Sequence, residues 1–338
     1  MGRRPLFVVL CAIIATFVLS FSACGGSLNS GDNQGSDSSS GGNTIGGLLG
    51  GGKSSSRETV KEDPDAPDRD NTPVVLANNA DGSAGFDGNG AFVDYSNADD
   101  GYIMAKYQGD NKKIKLQITK DGGDTYTYDV WPNTDYSAFP LSQGSGLYNI
   151  AMFLNIEGDK YSQACAHAIQ ADITNEFSPF LRPNQYCYFT DSTEAVAKGA
   201  ELAQGSKSDM KVIEKTFFYL IDNITYDYVK AATVQSGYLP DVDETLSTGT
   251  GICFDYASLM TCMLRSQRIP CQLVIGYAGT AYHAWISVNV EGVGWVANMI
   301  QFNNDKWTFM DPTFAASGDN ADPNVIGDGE RYNPVYYY

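Results

Sequence analysis

Residues 249–258 read GTGICFDYAS, which sets Cys253 two residues after the last glycine of a turn. A glycine-rich turn leads straight into CFDYASLMTCMLRSQ, which has helical character. Phe254, Ala257, Thr261 and Leu264 recur at helical spacing, and Pro270 marks a stop beyond them. Cys253 then falls at a helix N-terminus, where unpaired backbone N–H groups and the helix dipole favour negative charge. Such a setting favours the thiolate, the form of cysteine that attacks. Gly249 and Gly251 permit a sharp turn and leave room for a substrate to reach the sulfur. A small buried cysteine at a helix start has an equally simple structural explanation, so this segment alone leaves both readings open.

The sequence that follows favours the nucleophile. CQLVIGYA reads as a strand, and YHAWISV, residues 282–288, as a second strand carrying His283 near its start. WTFMDPTF, residues 307–314, is a strand ending in Asp311-Pro312, preceded by a turn at Asn303-Asn304-Asp305. Thiol, imidazole and carboxylate thus occur in that order, each beside a turn or a strand end. A thiolate–imidazolium pair needs its histidine held in one tautomer and one orientation, which a carboxylate does. A hairpin placing the two strands side by side would bring His283 to Asp311.

Together these blocks resemble the transglutaminase-like superfamily: a Gly-x-Cys-x-x-x-Ala helix start, a His-Ala-Trp strand and an Asp-Pro-Thr strand end, across about residues 208 to 316. The resemblance implies a papain-like α+β fold, with the nucleophile's helix packed on an antiparallel sheet. It implies Cys253 as nucleophile, His283 as general base and acid, and Asp311 as orienting carboxylate, with no cofactor. ITYDY fits the tyrosine the family often has after the preceding helix, and Tyr226 at that position is read as a packing residue. Asp255, just past the thiol, is read as a structural partner of the turn or helix start. Trp285, Trp295 and Trp307 are read as packing, with Trp285 also placed to shield the ion pair.

Upstream of Cys253, two helices are expected, one from Asp191 or Ser192 to Gly205 and one from Ser208 to Asn223. Before them, residues 85–176 alternate with period two in short runs separated by Asp/Asn/Gly turns. KIKLQITK, for example, sets Ile114, Leu116 and Ile118 on one face. About seven such strands predict an all-β, immunoglobulin-like sandwich, with Tyr148 as a candidate tyrosine corner. His167, in the last run, has no acidic or thiol neighbour at a suggestive spacing and is read as structural. RYNPVYYY at the other end is too apolar for a free tail and is expected to dock as a strand.

The chain opens MGRRPLFVVLCAIIATFVLSFSAC. A basic start, an apolar run and small residues before Cys24 read as a signal peptide over 1–23. Phe-Ser-Ala-Cys resembles a bacterial lipobox, which makes Cys24 the expected lipidation site and the membrane a partner through that anchor. Residues 24–84 are rich in Gly, Ser and charge and read as a disordered tether, with a reach of about 40 Å. The whole chain resembles transglutaminase-domain lipoproteins of Gram-positive gut bacteria. The expected location is the outer face of the bacterial cytoplasmic membrane.

Net charge is -18 over 338 residues; without residues 1–23, which hold two arginines and no acids, it is -20. Such acidity argues against nucleic acid as a partner, because phosphate binding relies on Lys and Arg. Five cysteines remain besides Cys11 and Cys24. Setting Cys253 aside leaves Cys165, Cys187, Cys262 and Cys271, either free or in two disulfides of three possible pairings. With only two histidines and no CxxC, a zinc site is not expected. The expected function is a cysteine acyltransferase or peptidase acting on extracellular peptide or protein. The alternative is a catalytically silent surface module binding peptide or glycan in the same groove.

Overall fold

A computed structural model describes residues 59–297, 299–303, 306–309, 311–317 and 332–338. The expected signal peptide, Cys24 and the tether up to residue 58 lie outside the described residues. Eight strands come first: β1 (Gly85–Gly88), β2 (Ala91–Asp94), β3 (Tyr102–Tyr107), β4 (Ile114–Lys120), β5 (Thr125–Val130), β6 (Ser137–Pro140), β7 (Gly146–Glu157) and β8 (Lys160–Ala171). They form two antiparallel four-stranded sheets, ordered β1-β2-β3-β6 and β5-β4-β7-β8. Ile114, Leu116 and Ile118 of β4 are buried, and Val93, Ile103 and Phe139 of the other sheet join the same apolar cluster. Strands β1 and β6 were not legible as runs. Each is four residues long, GFDG and SAFP, too short and too glycine- or proline-bounded to show a period.

Tyr148, at the start of β7, donates its hydroxyl back to the carbonyl of Gly144 at 2.6 Å, the hydrogen bond expected of a tyrosine corner. His167 is a surface packing residue. Its ring stacks on Tyr95 at 5.9 Å and lies 5.4 Å from Phe86.

The second half begins with α1 (Glu194–Ala203) and α2 (Asp209–Asn223), within one or two residues of their expected ends. Ser208 caps α2 by accepting from Lys211 N, and Val212, Ile213, Phe217 and Leu220 are buried. Next come β9 (Thr225–Tyr226), α3 (Tyr228–Thr233), α4 (Val242–Thr248), β10 (Thr250–Gly251) and α5 (Cys253–Arg265). Strands β11 (Cys271–Ala278), β12 (Ala281–Val290), β13 (Gly294–Ala297), β14 (Met299–Asn303) and β15 (Lys306–Phe309), then α6 (Pro312–Ser317) and β16 (Tyr332–Tyr337), complete the order. Strand β16 docks beside β11, as expected, and makes an antiparallel sheet ordered β13-β12-β11-β16.

Helix α5 is buried on every face, not on the single stripe its spacing suggested. Helices α1, α2 and α4 and strands β11 and β12 all pack against it. A helix enclosed in this way has no solvent face to keep polar, so a one-sided pattern understates its burial.

The disordered-tether expectation is corrected over residues 59–84. This stretch has no helix or strand, yet its earlier part is strapped across the second half of the chain, while Asn79, Gly82 and Ala84 bond to Tyr102, Asp94 and Ser96 of the first half. The Glu62 carboxylate accepts from Ser208 N, Ser208 Oγ and Lys207 N. Arg69 pairs with Asp209 at 2.9 Å, and Val74 N donates to Ser266 O at 2.8 Å. Val60 is buried. A polar segment that cannot build a core of its own is held here by capping a helix that lies far along the chain.

Candidate active site

The turn before Cys253 is built from two short strands. Thr225 and Tyr226 pair in parallel with Thr250 and Gly251, so ITYDY braces the glycine turn and Tyr226 has the structural part expected of it. Gly249 adopts φ +64 and ends α4. Gly251 is needed for space, since a Cβ there would lie 2.7 Å from the Cβ of Asp255.

Asp255 is fully buried and fixes the start of α5. It accepts from Ile252 N at 2.8 Å, from Lys230 Nζ at 2.8 Å and from Tyr238 Oη at 2.5 Å. Its expected structural role is the observed one. Lys230 and Tyr238 were not singled out in the sequence, since nothing local links α3 and the loop after it to this carboxylate.

Cys253 sits in the first turn of α5 and is 7% exposed. His283, on β12, is 2% exposed and lies near enough to Cys253 for that side chain to raise its pKa. Its Nε2 meets Asp311 Oδ2 at 2.8 Å. With Nε2 so engaged, Nδ1 is the ring nitrogen left for the sulfur. Burial by itself lowers the His283 pKa. The Asp311 carboxylate and the Cys253 side chain outweigh that effect and raise it to about 10. The carboxylate and the neighbouring sulfur thus favour the protonated form of the ring.

The route to this contact differs from the expected hairpin. His283 lies in the sheet of β11, β12, β13 and β16, whereas β14 and β15 form a separate two-stranded sheet. Asp311 reaches the ring from the short link between β15 and α6. Its Oδ1 accepts from Thr313 N at 2.9 Å, which ties the carboxylate to the start of α6. Trp285 stacks on His283 with centroids 6.0 Å apart, and Trp295 packs against Phe177 and Phe180. The side chain of Trp307 lies outside the described residues.

Two contributors escaped the sequence reading. Tyr332 of β16 donates its hydroxyl to Asp311 Oδ2 at 3.0 Å. Tyr282, beside His283, lies within electrostatic reach of Cys253, and burial raises its pKa. The apolar terminal run signalled that β16 docks, but not that its first residue meets a carboxylate.

All five described cysteines are free thiols and buried. Burial pushes Cys187 up to about 12 and Cys271 to about 11, and also raises Cys165 and Cys262. Of the two readings left open, free thiols are the one observed, and Cys271 meets Thr261 Oγ1. Among the described residues, no group of three or more His, Cys, Asp or Glu is placed to hold a metal ion.

Residues 196–312 match the family model of the transglutaminase-like superfamily. They form a transglutaminase-like domain. One curated relative, the UPF0252 protein MJ1282 of Methanocaldococcus jannaschii, is 29% identical over 102 residues; these make up 27% of this chain and 29% of the relative's length. Among solved structures, a candidate cysteine protease from Cytophaga hutchinsonii aligns with a TM-score of 0.37 and 14% identity, covering 70% of this chain and 83% of its own. A candidate protease from Parabacteroides distasonis aligns with a TM-score of 0.28 and 11% identity, covering 60% of this chain and 62% of its own.

Proposed function

We propose that this chain is a cell-surface cysteine peptidase or acyltransferase whose catalytic residues are Cys253, His283 and Asp311. The observation that carries the proposal is the buried His283–Asp311 pair, Nε2 to Oδ2 at 2.8 Å, in the electrostatic reach of Cys253 at the first turn of α5. The Cys253 thiolate attacks an amide carbonyl of an extracellular peptide or protein. Backbone N–H groups at the start of α5 stabilise the oxyanion. As the C–N bond breaks, the imidazolium gives its proton to the leaving amine, and an acyl-thioester remains on the sulfur. Water or a second amine then attacks the thioester, and His283 accepts its proton. Water completes hydrolysis; an amine completes a cross-link.

The two-sheet domain, with its strand order and the Tyr148 hydrogen bond, is read as immunoglobulin-like and as the spacer between anchor and catalytic domain. Export through residues 1–23 and lipidation at Cys24 would anchor the whole to the outer face of the cytoplasmic membrane. The strap from residue 59 supports a tether that leaves from α2 and not from the sandwich.

The test is to incubate full-length chain with a peptide library and, separately, with a glutamine-bearing protein plus a fluorescent primary amine. Cleavage or amine incorporation that disappears in Cys253→Ala and Asp311→Ala is expected. Turnover that survives Cys253→Ala sinks the proposal.

A further inference from the structure

Strand β16 spans two parts of the molecule. At its far end, Tyr337 N donates to the hydroxyl of Tyr126 in the sandwich at 3.1 Å, and the Tyr126 and Tyr336 rings meet at 5.0 Å. Along its length it pairs with β11 through a register break at Ile275/Gly276. A Cβ on Gly276 would lie 2.2 Å from the carbonyl oxygen of Asn333 and 2.8 Å from the Trp285 ring, so only glycine lets β16 close on β11 there. At its near end stands Tyr332. Its ring is edge-on to Trp285 at 5.0 Å and to His283 at 6.0 Å. Its hydroxyl donates to Asp311 Oδ2, the same oxygen that holds His283 Nε2.

We propose that Tyr332 is a positioning residue for the His283–Asp311 pair, its hydroxyl locking the carboxylate's rotation and moderating the charge the carboxylate presents to the imidazole. Oδ1 is held by Thr313 N and Oδ2 by two side-chain donors, so the carboxylate cannot swing without breaking a bond at each end. The positive end of the tyrosine O–H dipole also faces the oxygen shared with the imidazolium, which weakens the hold of that oxygen on the ring proton. Among the described residues, the titratable groups around the ring include Cys253 from α5, Asp311 ahead of α6, Tyr332 from β16 and, by way of Cys253, Tyr282 of β12. The proposal rests on the assignment of Cys253, His283 and Asp311 as the reacting site, but its test reads the histidine and not turnover.

The chain has two histidines, so histidine-labelled full-length protein gives two ring titrations by NMR, with His167 in the sandwich as an internal reference. Measurements belong in a Cys253→Ala background, which removes the co-titrating thiol. There, Tyr332→Phe keeps the ring and removes one donor. It is expected to raise the His283 midpoint by roughly half a unit and to leave His167 unmoved. Gly276→Ala, which displaces β16 and also crowds the Trp285 ring stacked on His283, is expected to move His283 in the same direction. Asp311→Asn should lower the midpoint by more than either raises it. An unchanged or lowered midpoint in Tyr332→Phe, with Asp311→Asn still effective, overturns the proposal and leaves the site assignment standing. If Asp311→Asn has no effect either, both fall.

Discussion

The two halves of the molecule bury very different things. Among the described residues of the sandwich, from Gly85 to residue 176, Asp94 is the one buried polar or charged side chain. From Glu194 onward the buried set includes Glu214, Asp255, Arg265, His283, Ser287, Asp311 and Thr313. Strand β4 shows the first habit, with apolar residues inward and lysines and glutamine outward. Strand β12 shows the second, buried for six consecutive residues with His283 at the head of that run. An antiparallel sheet with one wet face can send its polar groups to water. A sheet covered by a helix must give each polar group a partner. Arg265 illustrates the cost: fully enclosed, it donates to the carbonyls of Arg182 and Cys271 and to Tyr338 O, and desolvation still lowers its pKa. Ionic chemistry is therefore concentrated where burial is most complete.

The largest expected difference between the halves is in their response to pH. The folded His283 pKa, at about 10, lies above its unfolded value, which is about 6.5. Its contribution is fully present below about pH 6.5 and is lost as pH rises through about 10. Chemical denaturation of the second half should show stability declining across that window, and Asp311→Asn should flatten the decline. Core probes in the sandwich should not follow it.

Two ion pairs sharpen the contrast further. Lys230 with Asp255 and Lys115 with Asp129 are both close contacts, at 2.8 and 2.6 Å. Asp255 is fully enclosed, whereas both members of the second pair are about a third exposed. Lys230→Met strands a buried carboxylate and is expected to cost about 3 kcal/mol in urea unfolding, with a slower Cys253. Starting the chain at residue 72 removes the Glu62 and Arg69 contacts but keeps those of residues 79–84, and should cost about 2 kcal/mol, seen as early melting of the second half. Tyr148→Phe should cost the sandwich about 1 kcal/mol. Lys115→Ala should cost less than about 0.5 kcal/mol. Equal losses from Lys230→Met and Lys115→Ala would break the comparison.

What was legible in the sequence was local. The helix at Cys253, the strands holding His283 and the alternation of β4 are each set by a few consecutive residues, and β11, β12 and β16 formed where their apolar runs lie. The three residues proposed for the site stood out in the sequence because each has its own local frame: a glycine turn, a strand start and an Asp-Pro stop. What escaped depends on contacts between distant segments. Glu62 shows its role only when α2 is beside it, Lys230 and Tyr238 only when α5 is, and Tyr332 only when β16 has crossed Gly276. The link between His283 and Asp311 was anticipated, but its path was not. Asp311 arrives from outside the sheet of His283, and no spacing in the chain distinguishes that from a hairpin.

The central claim is that Cys253 owes its reactivity to His283, and alkylation tests it most directly. Full-length native chain is treated with iodoacetamide at about pH 6, where an ordinary thiol is almost wholly protonated, and each cysteine is read by peptide mass spectrometry. The account predicts that Cys253 is labelled first, while Cys165, Cys187, Cys262 and Cys271, all pushed up by burial, stay unmodified. His283→Ala should slow labelling at Cys253 by roughly tenfold or more. Labelling of Cys253 no faster than its neighbours, or unchanged in His283→Ala, would contradict the account and leave the cysteine a core residue at a helix start.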